Sequence, residues 1–241
     1  MLADAYVRPE HTPYTAPELL DPARRGPALL DRLLGYATGG TDVLCLQELE
    51  PAMFAAATAQ LETLGYEGRF LQKQRKPDGV AIFLRRALGV PTFRELVYGD
   101  GTGHGALAAM VGGIGIATTH LKWESPDVLP EERLGRQELR ELTEAWVRPD
   151  ERWIVCGDLN ADAQSPVLAV AFACGLRDAY ESLPDACTCN SNGRRKRIDF
   201  ILHSSGFVAT PAPLRAITDV TPLPSIDEPS DHLAILATLG P

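Results

Sequence analysis

A set of polar residues stands at the ends of apolar runs, and their types select a chemistry. Val43-Leu44-Cys45-Leu46 runs into Gln47-Glu48, Ile114–Thr118 into Thr119-His120, and Trp153-Ile154-Val155-Cys156 into Gly157-Asp158-Leu159-Asn160. Asp199 lies inside Arg197-Ile198-Asp199-Phe200-Ile201-Leu202, and Ser230-Asp231-His232 immediately precedes the last apolar run. Each has an ordinary explanation on its own. A Glu after a strand is usually a solvated turn residue, Gly-Asp-x-Asn is a common turn, and a lone His is more often a satisfied polar group than a catalyst. Asp199 is different, because alternation along a strand points it away from Ile198 and Phe200, and a carboxylate in a strand core needs a partner. His232 is the natural one, since an Asp–His pair fixes the tautomer and supports an imidazolium.

Taken together these are the carboxylates Glu48, Asp158 and Asp231, the carboxamide Asn160, and His120 and His232 beside Asp199. Carboxylate and amide oxygens without a convergent Cys suit a hard cation, Mg²⁺ or Mn²⁺, rather than zinc. Such an ion polarises a phosphoryl oxygen and stabilises the leaving oxygen. Two imidazoles can hold the other phosphate oxygens, and a carboxylate can orient the attacking water. The residue types point to metal-dependent hydrolysis of a phosphoester as the expected chemistry.

Composition bounds the partners. The 241 residues carry 23 basic and 32 acidic side chains, a net charge of −9. Affinity for a long duplex comes largely from cations that release counterions, so a small phosphorylated substrate or a strand end is easier to reconcile with this charge. No run approaches the 18 apolar residues of a membrane span, and the first residues have neither the basic region nor the apolar stretch of a signal peptide. Cys45, Cys156, Cys174, Cys187 and Cys189 fit neither a zinc site nor a disulfide framework by spacing. Five free thiols in a reducing cytoplasm, on a monomer, are expected.

The elements that must position these residues form one domain over residues 1–241, with no repeat or linker. Residues 7–28 are Pro-rich and read as irregular until Leu29, Leu30, Leu33 and Leu34 form a helical stripe that Gly39-Gly40 ends. Pro51 opens a second helix closed by Gly65, Glu131 to Trp146 is an amphipathic helix, and Val167 to Cys174 is a short one. Strands are expected at 43–46, 79–84, 106–110, 114–118, 153–156, 198–202 and 233–239. Helices and strands alternate only in part, which favours two packed sheets with helices outside.

The order of the segments Leu46-Gln47-Glu48, Thr119-His120-Leu121, Gly157-Asp158-Leu159-Asn160, Ile198-Asp199-Phe200-Ile201 and Ser230-Asp231-His232 resembles the signature of the endonuclease/exonuclease/phosphatase superfamily. The likeness is nearest to its deadenylase, Nocturnin and Angel branch, through Leu2-Ala3-Asp4-Ala5-Tyr6, Lys76-Pro77-Asp78-Gly79-Val80-Ala81-Ile82-Phe83, Thr119-His120-Leu121-Lys122-Trp123 and Pro229-Ser230-Asp231-His232-Leu233. The resemblance implies an α/β, four-layered αββα sandwich of two mixed sheets flanked by helices, and Mg²⁺-dependent hydrolysis of phosphate esters at a nucleic-acid end or nucleotide. It implies Glu48 as principal metal ligand with Asp231 at the metal or its water shell, Asp158 at the metal and the water, Asn160 beside it, His120 and His232 on the phosphate, and Asp199 orienting His232. Lys122 and Trp123 fall in a segment expected to meet substrate.

Two departures stand out. The family's first strand ends in an Asn that helps hold the metal; only Leu2 onward aligns here, so strand and Asn are both missing, and a natural start upstream of Met1 is expected. The basic cluster Arg194, Arg195, Lys196 and Arg197 stands where the deadenylases carry an adenine-stacking aromatic, which suggests phosphate contact; a solvated turn is the alternative. Lys73, Arg75 and Lys76 read as a second basic patch, with a solvated loop as the alternative. The rival functions are a DNA repair nuclease, a phosphatase of small molecules, and a catalytically silent phosphate-binding module.

Overall fold

The computed structural model describes residues 1–125 and 127–241. In chain order its main elements are α1 (Pro22–Thr38), β1 (Val43–Leu49), α2 (Pro51–Leu61), β2 (Tyr66–Gln72), β3 (Gly79–Arg85), β4 (Thr92–Val97), β5 (Gly105–Val111), β6 (Ile114–His120), α3 (Leu134–Trp146), β7 (Arg152–Asp158), α4 (Pro166–Ala173), β8 (Arg177–Asp178), β9 (Cys189–Ser191), β10 (Arg194–Lys196), β11 (Asp199–His203), β12 (Val208–Pro211) and β13 (Ala237–Gly240). The helices start where local chemistry prescribes. Asp21 accepts a hydrogen bond from the N–H of Ala23 and Pro22 takes the first turn of α1; Ser165 and Pro166 do the same for α4. α1 therefore begins seven residues before the apolar stripe that first signals it, because its cap and proline are polar or neutral in the hydrophobic pattern. α3 begins at Leu134 rather than Glu131, where Glu124 Oε2 accepts the N–H of Leu134 at 2.7 Å.

Two sheets are stacked. One has the order β1-β3-β2, the other β4-β5-β6-β7-β11-β8. The larger is mixed, with β6 and β7 parallel. The smaller departs from the expected mixed pattern: both of its ladders, β1–β3 and β2–β3, are antiparallel. Val80, Ile82 and Leu84 from β3 meet Leu107, Ala109 and Ile116 from the other sheet. α1 and α2 cover the outer face of the small sheet through Leu33, Ala37, Ala57 and Leu61; α3 and α4 cover the large one through Leu139, Leu142, Leu168 and Ala171. This is the αββα layering. The strands β12 and β13 pair only with each other.

The outer edge of β1 has no ladder partner among the described residues. A groove of about 910 Å³ lies beside it, lined by Leu33, Cys45, Ile116, Ile154, Ile201 and Ile235 among others. An apolar gap thus separates β1 from the segment leading into β13. All five cysteines are free thiols. No described helix is long and apolar enough to cross a membrane.

Candidate active site

Strand register assembles the site. His120 ends β6 beside Asp158, which ends the parallel strand β7; Asp158 in turn sits opposite Asp199, the first residue of the antiparallel strand β11. Three functional side chains therefore occupy adjacent strands at one level and face the same way. The close approach of β6 and β7 depends on Gly157, where a Cβ would lie 2.1 Å from the carbonyl oxygen of Thr119. Immediately afterwards Asn160 turns the chain with φ +49°. Its N–H donates to Asp158 Oδ1 and its side-chain Nδ2 donates to the carbonyl of Leu121, both at 2.9 Å. The Asn160 amide group thus fastens the loop after β7 to the loop after β6.

His232 arrives from the other side, where Cys189 bridges it. Its Nδ1 is 2.8 Å from Asp199 Oδ2, and its Nε2 is 3.9 Å from Asp158 Oδ2. His120 Nε2 lies 3.7 Å from the same Asp158 oxygen. Asp158 thus lies between two imidazoles, and Asp199 orients one of them, as its place in the strand suggested.

Glu48 comes from the small sheet. β1 breaks its register between Leu46 and Leu49, and Glu48 adopts φ +53°, a left-handed conformation costly for a side chain with a Cβ. Strained backbone of this kind collects where a side chain must be aimed. Glu48 Oε2 accepts the N–H of Ala3 at 3.1 Å. Gln47 Nε2 donates to Thr118 Oγ1 at 2.8 Å, which ties the rims of the two sheets together.

The electrostatics of the rim are those of crowded acids. Burial, then the charge of Asp231, pushes Glu48 up to about 7. Burial, then the charge of Asp199, pushes Asp158 up to about 7. Burial also acts to raise Asp199, but the charge and hydrogen bond of His232 outweigh it and hold Asp199 below its ordinary value. Burial acts to lower His232, and Asp199 outweighs it so that the imidazole stays well above its usual value. Burial and Lys73 hold His120 well below it.

Asp158, Asp199 and His232 present ligand atoms within 4.8 Å of one another. Asp199 and His232 are bonded to each other, so Asp158 is the member with coordination to spare. Glu48 and Asp231 lie outside that tight cluster, although both of their charges act on it or on each other. Hard carboxylate oxygens that repel one another and resist ionisation fit a divalent cation, whose charge would relieve both effects.

The basic residues fare unevenly. Arg194, Arg195 and Lys196 are exposed on the β9–β10 hairpin, which turns at Asn192-Gly193 with both φ values positive. Arg195 is engaged, with Nη1 on the carbonyl of Ile217 and its N–H on Asp219. Arg197 is a correction: its guanidinium is paired with buried Asp178 and lies over the Phe200 ring, so it braces β8 and β11 rather than facing solvent. Lys73 is a second correction. It is only 6% exposed and paired with Asp78, not part of a solvated patch with Arg75 and Lys76. Trp123 is exposed and Lys122 half-buried, with the Lys122 N–H held by Glu138 Oε2 at 2.6 Å. Sequence reading overlooked Glu138 and His104, which are buried behind His120. A Glu on the apolar face of α3 was the available signal.

The model of the endonuclease/exonuclease/phosphatase family matches residues 19–232. The chain belongs to that family. It is a phosphoesterase- or nuclease-type hydrolase, and enzymes of this family generally use divalent metals. No curated protein matches the chain. Among solved structures, ANGEL2, described as a 2′,3′-cyclic phosphatase and solved with adenosine-2′,3′-vanadate, superposes with a TM-score of 0.79 at 19% identity, covering 99% of this chain and 92% of that one. The human Nocturnin catalytic domain superposes at 0.70 with 25% identity, covering 90% and 86%. Danio rerio TDP2, solved with a single-stranded DNA product, superposes at 0.65 with 23% identity, covering 91% and 92%.

Proposed function

We propose that this chain, as one domain over residues 1–241, is a Mg²⁺-dependent phosphoesterase acting on the phosphate of an RNA end or a nucleotide. The observation that carries the reading is Asp158 set between the Nε2 atoms of His120 and His232 at 3.7 and 3.9 Å. A phosphate ester needs donors for its non-bridging oxygens and an acceptor for the water that attacks it. The two imidazoles are the donors, with His232 charged through Asp199. Asp158 is the acceptor, a carboxyl that a bound cation would keep ionised.

Glu48, Asp231 and Asp158 would hold the cation, which when bound polarises the phosphoryl oxygen and stabilises the leaving oxygen. Asn160 keeps Asp158 aimed through its main-chain N–H. Exposed Arg194 and Arg195 on the hairpin, with exposed Trp123 and half-buried Lys122, would meet the rest of the substrate. A net charge of −9 favours a short strand end over a duplex. The fold likenesses to ANGEL2, Nocturnin and TDP2 support a nucleic-acid end or nucleotide as the class.

The test is hydrolysis of a 5′-labelled RNA oligonucleotide ending in a 2′,3′-cyclic phosphate, beside a 3′-hydroxyl oligo(A), with Mg²⁺ against chelator. Turnover that needs Mg²⁺ and is lost in Asp158→Ala and Glu48→Ala supports the reading. Near-full activity in either variant would overturn the site assignment.

A further inference from the structure

Behind His120 runs a chain of buried polar contacts. The Tyr6 hydroxyl donates to Asp78 Oδ1 at 2.7 Å. Asp78 Oδ2 accepts from Lys73 Nζ at 2.7 Å, and the same Nζ lies 3.1 Å from His120 Nδ1. Asp78 is fully buried and Lys73 nearly so. A lysine ammonium has three protons and no lone pair, so it can only donate. His120 Nδ1 must therefore accept, which leaves its proton on Nε2, the nitrogen turned toward Asp158.

We infer that Lys73 is a positioning residue that fixes the Nε2–H tautomer of His120, with Asp78 and Tyr6 anchoring it. The ring has its own independent support. His104 Nδ1 lies 3.0 Å from the His120 carbonyl oxygen, and the two rings meet edge-on with centroids 6.0 Å apart. His104 thus holds His120 in place while Lys73 decides which nitrogen of the ring carries the proton. His232 reaches the same arrangement by a different route, because Asp199 occupies its Nδ1. Both imidazoles then turn Nε2–H groups toward Asp158 Oδ2, at 3.7 and 3.9 Å. His120 can donate to a phosphate oxygen in this state but cannot take a proton from water. Its use in turnover rests on the phosphoesterase reading; the tautomer does not.

The experiment is a long-range ¹H–¹⁵N correlation spectrum of the imidazoles in the full ¹⁵N-labelled chain at neutral pH, with His120 assigned through His120→Gln. The expected pattern is a neutral ring protonated at Nε2 alone. A ring protonated at Nδ1, or at both nitrogens, would overturn the inference from the wild type by itself. Lys73→Met combined with Asp78→Asn removes the donor without stranding a buried charge and keeps an acceptor for Tyr6. Its amide spectrum reports whether it folds. In the folded variant His120 should become a mixture of tautomers, and a single unchanged Nε2–H species would speak against Lys73. Where wild-type turnover is measurable, the variant should lose kcat by roughly tenfold or more with KM changed less. A wild type inactive on every phosphate ester but carrying the Nε2–H pattern would count against the phosphoesterase reading and still support the role of Lys73.

Discussion

Asp158 and Asp199 face each other directly across the β7–β11 ladder, yet the fold treats their carboxyls in opposite ways. Asp158 is pushed up to about 7 by burial and by the charge of Asp199. Asp199 stays below its ordinary value because His232, 2.8 Å away, outweighs the effect of burial. Like charges directly opposite on a sheet repel. Here one is satisfied by a cation within the chain, and the other is left for whatever binds in the site.

The pair makes a prediction about His232. In metal-free protein its imidazole should remain charged above its ordinary range, and Asp199→Asn should lower its titration, since the largest of the charges that offset burial is then gone while those of Cys189 and Asp231 remain. The contribution of this ion pair to stability is fully present below about 6.5 and lost as pH rises through the raised histidine value. On the acid side it is lost as pH falls through the lowered Asp199 value. Proton NMR titration of the His232 ring reads this directly, and a wild-type His232 titrating at or below 6.5 would contradict it.

Metal binding should release protons. Glu48 and Asp158 both titrate near 7 in the metal-free chain, so at pH 6 each is largely protonated and must give up its proton to bind a cation. Their raised values also mean that the metal-free fold loses stability as pH climbs from about 4 toward 7, because the buried carboxyls ionise against one another. Mg²⁺ should reverse that loss by favouring the ionised folded state. Calorimetric titrations at pH 6, 7 and 8, in two buffers of different ionisation enthalpy, should give an affinity that tightens with pH. A flat profile with no proton release would exclude these carboxyls as the ligands.

Much of this was legible in the sequence, and the exceptions have physical reasons. Glu48, His120 and Asp158 could be singled out because apolar strands run straight into them, and His232 because an apolar run follows it. Asp199 could be read because it interrupts the alternation of Ile198 and Phe200. The strand β4, whose residues are mostly exposed or half-buried at a sheet edge, carries too little hydrophobic pattern to be found. β9 and β10 are three residues each and rest on the turn chemistry of Asn192-Gly193. Lys73 was misread because a lysine beside Arg75 and Lys76 resembles a solvated loop. Only the tertiary fold brings Asp78 and His120 to its ammonium. Glu138 was hidden for the same reason, because local sequence does not say which polar residue on a helix is turned inward.

Arg197 and Arg194 should separate stability from binding. Removing the Arg197 guanidinium leaves Asp178 as an unpaired carboxylate whose side chain is 6% exposed. Arg197→Ala should therefore cost about 3 kcal/mol, seen as a fall in Tm of roughly 6–12 °C for a chain of this size. Arg194→Ala with Lys196→Ala touches only exposed side chains and should change stability by no more than about 0.5 kcal/mol. The same double variant should raise KM for an oligonucleotide more than for a small chromogenic diester. Equal effects on the two substrates would remove the hairpin from substrate binding, and a thermally silent Arg197→Ala would show that its pair with Asp178 is dispensable.

The groove beside β1 predicts strand addition. The edge of β1 is unpaired among the described residues, and Ala234 and Ile235 on the opposite wall make no main-chain hydrogen bonds there. The amino group of Met1 already donates to the carbonyl of Gln47 at 2.9 Å, so a chain fused ahead of Met1 would start from a formed rung of a ladder with β1. Both walls are apolar, and filling them with side chains removes surface from water at about 25 cal/mol per Å² while pairing exposed backbone groups. An extension of about six residues rich in Val, Ile and Thr should therefore seat in the groove and raise Tm by roughly 2–4 °C for each kcal/mol gained. It should also slow amide exchange along β1. A Gly/Ser extension of equal length offers the same chain without side chains to bury and should do neither. The same Tm and the same exchange from both extensions would mean that the groove does not take a strand.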